Sequence, residues 1–187
     1  MAERVRVTFD TELRRRRLTI LFRVVLALPA AVVLAVWGLL AAPVLILAWP
    51  STIVRGRMPR LFHRVLRGYL RYAAQCNAWF NIVSGSYPRP RRRDVHPVQV
   101  VAQREAQGRS AALARPLLAL PGLVLGSVFG VVLGTSAVAA WFVVLVRGRT
   151  TAGLRELGAF CLRYQVEALA YLMLLSPRAP KLEPPAD

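Results

Sequence analysis

Groups able to exchange protons, attack carbon or ligate a metal are scarce in this chain. Of 187 residues, 9 are Asp or Glu, 2 are His and 2 are Cys. Cys76 and Cys161 stand far apart and outside any C-x-x-C spacing, so they predict neither a disulfide framework nor a metal knuckle. His63 sits beside Arg64 and His96 stands in a Pro- and Arg-rich segment; both read as solvated side chains. The chain carries no H-E-x-x-H, P-loop or G-x-S-x-G pattern. Glu167 is the one acid inside a predominantly apolar stretch, where an ionisable residue is a functional candidate by default. Arg163, one turn earlier, offers it an ion-pair partner. On these grounds no catalytic residue, no metal ligand and no cofactor is expected.

Two other residue types carry a pattern. Gly122, Gly126, Gly130 and Gly134 follow at intervals of four, a zipper of three G-x-x-x-G steps. Apolar helices in lipid gain nothing from hiding from water, and small residues that let backbones approach hold them together. These four glycines, with Gly38, predict a helix-packing or partner interface, either with another membrane protein or copy, or within the chain. The second pattern is cationic. Of 26 basic residues 25 are arginine, and the net charge is +17. Arg64, Arg67, Arg71 and Gln75 form one polar stripe at helical spacing. Together with Arg55, Arg57, Arg147, Arg149 and Arg163 they predict contact with anionic lipid headgroups, worth about 1 kcal/mol per arginine near such a surface. No aromatic stacking platform or recognition helix accompanies the charge, so nucleic acid is not an expected partner.

The elements that must position these groups are long and apolar. Residues 24–54 and 116–146 are two runs of 31 residues without a charged side chain. Eighteen such residues already make a candidate membrane span, and a buried soluble helix of this length would be very unusual. With 56% hydrophobic and 19% charged residues, the chain is too apolar for disorder. The first run is about twice the length of a signal-peptide core and closes on no small-x-small cleavage site, so a cleaved leader is not expected.

The chain also repeats itself. A shift of 92 residues aligns Arg23–Pro88 with Arg115–Pro180 without a gap, with 20 identities in 66 positions. "RVVLALP" falls on "RPLLALP", "RGR" at Arg55–Arg57 on "RGR" at Arg147–Arg149, and "LRY" at Leu70–Tyr72 on "LRY" at Leu162–Tyr164. Two membrane repeats are therefore expected, over 1–92 and 93–187. Each opens on a short alternating stretch (Val5, Val7, Phe9; Val98, Val100, Ala102), a weak strand signal that could pair into a ribbon at the membrane surface. Tyr87–Pro97 reads as a linker.

Charge counting suggests the topology. Seven basic residues precede the first run, 13 lie between the runs and 6 follow the second. Single crossings would divide them 13 to 13, whereas a transmembrane hairpin in each run puts all 26 on one face, as the positive-inside tendency favours. The turns are expected at Ala41-Ala42-Pro43 and Gly134-Thr135-Ser136, with Arg23 and Arg115 snorkelling to the headgroups. Amphipathic interfacial helices are expected over 61–84 and 153–176. The predicted fold class is an all-α integral membrane protein of two tandem repeats, each a transmembrane hairpin followed by an interfacial helix, with short surface strands.

The order of features in each repeat resembles the bacterial family called Domain of Unknown Function 4389. Arg23, Pro29, Arg55–Arg57, Leu70–Tyr72 and Tyr87–Pro88 carry the likeness in the first copy. Arg115, Pro121, Arg147–Arg149, Leu162–Tyr164 and Pro180 carry it in the second, where Ala179 replaces the exit tyrosine. The resemblance implies architecture and no catalytic residue. The expectation is a non-enzymatic accessory or scaffold subunit of the bacterial plasma membrane, multi-pass with both termini cytoplasmic, binding other membrane proteins and anionic lipid. The alternative is a small oligomeric transporter or channel.

Overall fold

The computed structural model describes residues 6–8, 22–88, 99–101, 109–148, 150–176, 179–180 and 182. Four helices dominate: α1 (Arg23–Arg55), α2 (Arg60–Phe80), α3 (Arg109–Arg147) and α4 (Ala152–Leu172). Two three-residue strands, β1 (Arg6–Thr8) and β2 (Gln99–Val101), precede α1 and α3. His96, Arg149 and most of the linker fall outside the described residues.

Each apolar run is one unbroken helix, of 33 residues in α1 and 39 in α3, which corrects the expected hairpin within the run. The reason is backbone hydrogen bonding. Opening a helix into a turn releases about four N–H and four C=O groups, and these stretches hold too few polar side chains to replace them. A single proline removes one donor, so α1 runs through Pro29, Pro43 and Pro50. The hydroxyls near the expected turns bond back to their own helix instead. Thr135 Oγ1 donates to Val131 O at 2.9 Å and Ser136 Oγ to Leu133 O at 2.8 Å. Ser51 and Thr52 both donate to Ala48 O, at 2.9 and 2.7 Å.

The chain does fold back, but at the end of each run. Gly56 and Gly148 take left-handed conformations (φ 66° and 71°) that a Cβ would oppose. Their N–H groups close the preceding helices on Thr52 O and Val144 O, both at 2.8 Å. The amphipathic helices α2 and α4 are then the return legs. Contacts between Trp37 and Gly68, Ala30 and Tyr72, and Arg23 and Trp79 show α2 running antiparallel along α1. Phe129 with Phe160 and Arg115 with Tyr171 show the same for α4 on α3. The amphipathic helices thus pack against the long helices of their own copies, a reading compatible with an interfacial position. They supply most of the core, through Leu66, Leu70, Ala74 and Ala78 of α2 and Cys161, Leu162, Val166 and Ala170 of α4. On each of these helices a polar stripe coexists with a wide apolar face. Gln75, assigned to that stripe, is buried.

The duplication holds in three dimensions. Gly56 and Gly148, and the non-glycine left-handed residues Ile82 (φ 62°) and Leu174 (φ 59°), are pairs related by 92 positions. The copies dock in inverted order. Ile82, at the exit of copy one, clusters with Ala140, Val144, Trp141 and Leu154 near the turn of copy two. Next to it, Val83 lies so close to Gly158 that an added Cβ would meet its Cγ2 at 2.8 Å. The exit of copy one lies beside the start of α1, so α1 begins where α3 ends. The strands follow the same arrangement, pairing antiparallel with Val7 opposite Val100, and β2 lies against α2.

The outer helices stay bare. In their most apolar stretches only 11% of α1 and 22% of α3 is buried. Leu39, Ile46 and Val54 of α1 and Leu117, Val131 and Val146 of α3 are exposed. Both helices are long and apolar enough to cross a membrane.

Candidate functional site

The charged residues collect on the return legs and at the helix ends. Arg64 and Arg67 are exposed on α2, with Arg71 half-buried beyond them. Arg55 and Arg57 flank the first turn, and Arg147 the second, all exposed. On α4, Arg163 Nε and Glu167 Oε1 lie 3.4 Å apart, each side chain about one-fifth exposed. The expected pairing is thus present. The aligned residues in copy one are Arg71 and Gln75. Among the described residues no three His, Cys, Asp or Glu side chains converge to hold a metal.

The glycine face meets its own return leg. Gln165 Nε2 donates to Gly126 O at 3.1 Å and stands 3.0 Å from a Cβ added at Gly130. Pro180 stands 3.2 Å from one at Gly122. Gly126 is buried, yet a Cβ added there, like one on Gly134, meets nothing within 4 Å. In copy one Gly38 receives the ring of Tyr69 at 3.5 Å. At Gly122, Gly130 and Gly38 the close neighbours are side chains of the same chain. A G-x-x-x-G repeat announces close approach and does not name the neighbour.

Arg23 and Arg115 correct the snorkelling expectation. Their side chains are 4% and 2% exposed, turned inward onto aromatic rings of the return legs. The Arg23 guanidinium carbon lies 4.8 Å from the Trp79 ring centre and that of Arg115 lies 5.0 Å from Tyr171. A cation over an aromatic face is held by the ring quadrupole, at about 0.5–2 kcal/mol depending on desolvation. Desolvation pulls the Arg115 guanidinium below its ordinary value, partly countered by Tyr171, and an arginine stays charged there. The sequence carried a signal for this site: the arginines and the aromatics are both offset by 92.

The exits above these pairs differ. In copy one Tyr87 stands edge-on to Trp79, ring centres 5.1 Å apart, and its hydroxyl donates to Leu26 O at 3.1 Å. In copy two the corresponding Ala179 is exposed and bears no ring.

The sequence pattern of a family described as Domain of unknown function (DUF4389) matches residues 17–91 and again 109–182. No curated protein and no solved structure matches the chain.

Proposed function

The chain belongs to the DUF4389 family and carries its domain twice, and on that premise we propose a non-enzymatic scaffold or accessory subunit of the bacterial plasma membrane. One observation carries the proposal. The two outer helices present apolar surface along their whole length, while the charged side chains of the helices are confined to the return legs and the helix ends. Such a surface is stable against lipid tails, and the arginines match anionic headgroups.

The proposal keeps both termini and the linker on the cytoplasmic face, which inverted docking allows only if the bundle does not span the bilayer end to end. Arg115 and Val144 are separated by about 43 Å of helix, so the exit of copy one and the start of α3 lie near opposite ends of the bundle. The sequence between them includes the run "RPRRRDVHP", which would be costly in hydrocarbon. In this proposal the bundle enters the bilayer from one side, with α1 and α3 innermost. The exposed faces of these two helices are the surface offered to partner membrane proteins.

Two measurements test this. The protein should stay with membranes after alkaline carbonate washing, and mild detergent should release it in a stoichiometric complex with another membrane protein. Recovery as a soluble protein, or as a pure single-component species, would defeat the proposal. A second reading, a small oligomeric transporter, is favoured by the inverted docking itself, which recurs in transporters. The two diverge at the exits. With Cys76 and Cys161 replaced by alanine, neither Ser86→Cys nor Ser176→Cys should react with an impermeant thiol reagent applied to intact cells. Labelling of one of them would place the exits on opposite faces and favour transport.

A further inference from the structure

We propose that the arginine ridge of α2 is the docking surface for an acidic helix of a partner protein. The inference deepens the scaffold reading by giving its partner a chemistry, and rests on that reading for the side of the bundle on which the ridge lies.

The ridge is continuous and bounded. Arg60, Arg64, Arg67 and Arg71 follow at intervals of four, three and four, which keeps them on one line of the helix. Arg60, Arg64 and Arg67 are exposed and Arg71 is half-buried. Ala74 and Ala78 continue that line and are buried in the core, so the ridge ends after about 17 Å of helix. The helix contains no Asp or Glu to offset its charge. Like charges one turn apart destabilise a helix, and carboxylates brought by a partner remove that cost.

Copy two carries its counter-charges itself. α4 holds Arg155 and Arg163 against Glu156 and Glu167, and Arg163 Nε lies 3.4 Å from Glu167 Oε1. At the positions aligned with Glu156 and Glu167, α2 has Arg64 and Gln75. Arg64 and Glu156 are both exposed, so one surface position has opposite sign in the two copies. α2 packs against α4, and α1 against α3. With α1 and α3 innermost, both return legs lie on the cytoplasmic side. A lipid surface meets the two legs alike and gives no reason for one to be cationic and the other neutral. A protein can contact one leg and leave the other. The arginines at the turns, Arg55, Arg57 and Arg147, remain those suited to headgroups. Guanidinium forks match carboxylates in bidentate pairs, where lysine offers only a point charge. The spacing of the ridge is also that of one face of a second helix, so Asp or Glu in the same register meets successive arginines.

The test uses the full chain in neutral maltoside micelles and a synthetic helical peptide with Glu at intervals of four, three and four. A peptide of identical composition, with its Glu residues spread around the helix, is the control. Binding is read by fluorescence anisotropy and folding by gel filtration. Wild type should prefer the in-register peptide about tenfold, the sum of several weak exposed pairs, with affinity falling as salt rises. Arg64→Gln combined with Arg67→Gln should abolish the preference, while Arg147→Gln leaves it in place. Arg64→Glu combined with Arg67→Glu should bind the in-register peptide whose Glu residues are replaced by Lys. Both positions are exposed, so elution volumes should not change. Equal binding of the two peptides by wild type, or charge reversal without the reversed preference, would overturn the proposal. So would loss of binding to short-chain phosphatidylglycerol in the double Gln variant with peptide binding intact, which would assign the ridge to lipid. A native complex that persists unchanged through Arg64→Gln and Arg67→Gln would sink the ridge as the docking surface and leave the scaffold reading standing. Absence of any complex with wild type would defeat that reading itself, whatever the peptides do.

Discussion

The two halves of this molecule share a backbone and differ in how they fill it. Both close their long helix on a left-handed glycine, both lay an arginine on an aromatic ring, and both place a non-glycine residue at positive φ at the exit. The side chains between are exchanged in compensating pairs. Copy one sets the indole of Trp37 over Gly68, where an added Cβ would meet Cζ2 at 2.9 Å. Copy two has Phe129 and Phe160 at the aligned positions, edge to face with centres 5.6 Å apart. A large ring against no side chain has become two medium rings. The difference teaches that the constraint on each copy is the separation between outer helix and return leg, which several volume partitions satisfy.

The sharpest way to break the comparison is to mix the partitions. Gly68→Phe, with Trp37 in place, is expected to destabilise by about 3 kcal/mol, the upper range for overpacking. Adding Trp37→Phe should restore most of the loss. Denaturant titration in micelles gives the coupling, and additive losses would show that the two solutions are not interchangeable.

The next effect lies at the seam. Gly158→Ala pushes a methyl to 2.8 Å from Val83 Cγ2 and 3.5 Å from Leu133 Cδ1, at an expected cost of about 1–2 kcal/mol. Val83→Ala should relieve it. The same Gly→Ala change at position 153, where an added Cβ meets nothing within 4 Å, should not destabilise.

Smaller still are the turns. Gly56→Ala and Gly148→Ala each force a Cβ into the left-handed region, for about 1 kcal/mol. The comparison sharpens if the two losses agree in thermal melts and weakens if only one is felt.

The smallest change expected is Glu167→Gln, which writes the residue type of Gln75 into copy two. An ion pair one-fifth exposed at each end contributes about 0.5 kcal/mol or less after screening. The loss should shrink further in high salt, and a loss that grows with salt would contradict the pairing.

The repeat and the apolar runs were legible because residue type at a fixed offset, and absence of charge, are one-dimensional properties. The fold-back was misplaced because Pro43 was weighed as a breaker by the rules of soluble helices. The actual turn, Gly56 within "RGR", looked like the border of a span. In the return legs Arg64, Arg67 and Arg71 are conspicuous in the sequence, whereas burial of Leu66, Leu70, Ala74 and Ala78 follows only once α1 lies alongside. The inverted docking left no trace in the sequence. Val83 meets Gly158 through shape, and nothing in either residue's local pattern announces the other. At the candidate site the residues could be read, since Arg23 and Arg115 align, but their inward turn depends on rings more than 50 positions away.

The antiparallel ribbon has a bearing on origin. Val7 faces Val100, nearly the same place in each copy, so the ribbon is close to self-complementary. A surface that recognises its own inverted twin needs one kind of patch on each side. A half-length chain with these features would meet that requirement by pairing with a sister molecule. Joining the halves in one polypeptide fixes their ratio at one to one and lets them differ, as Tyr87 at one exit and Ala179 at the other do.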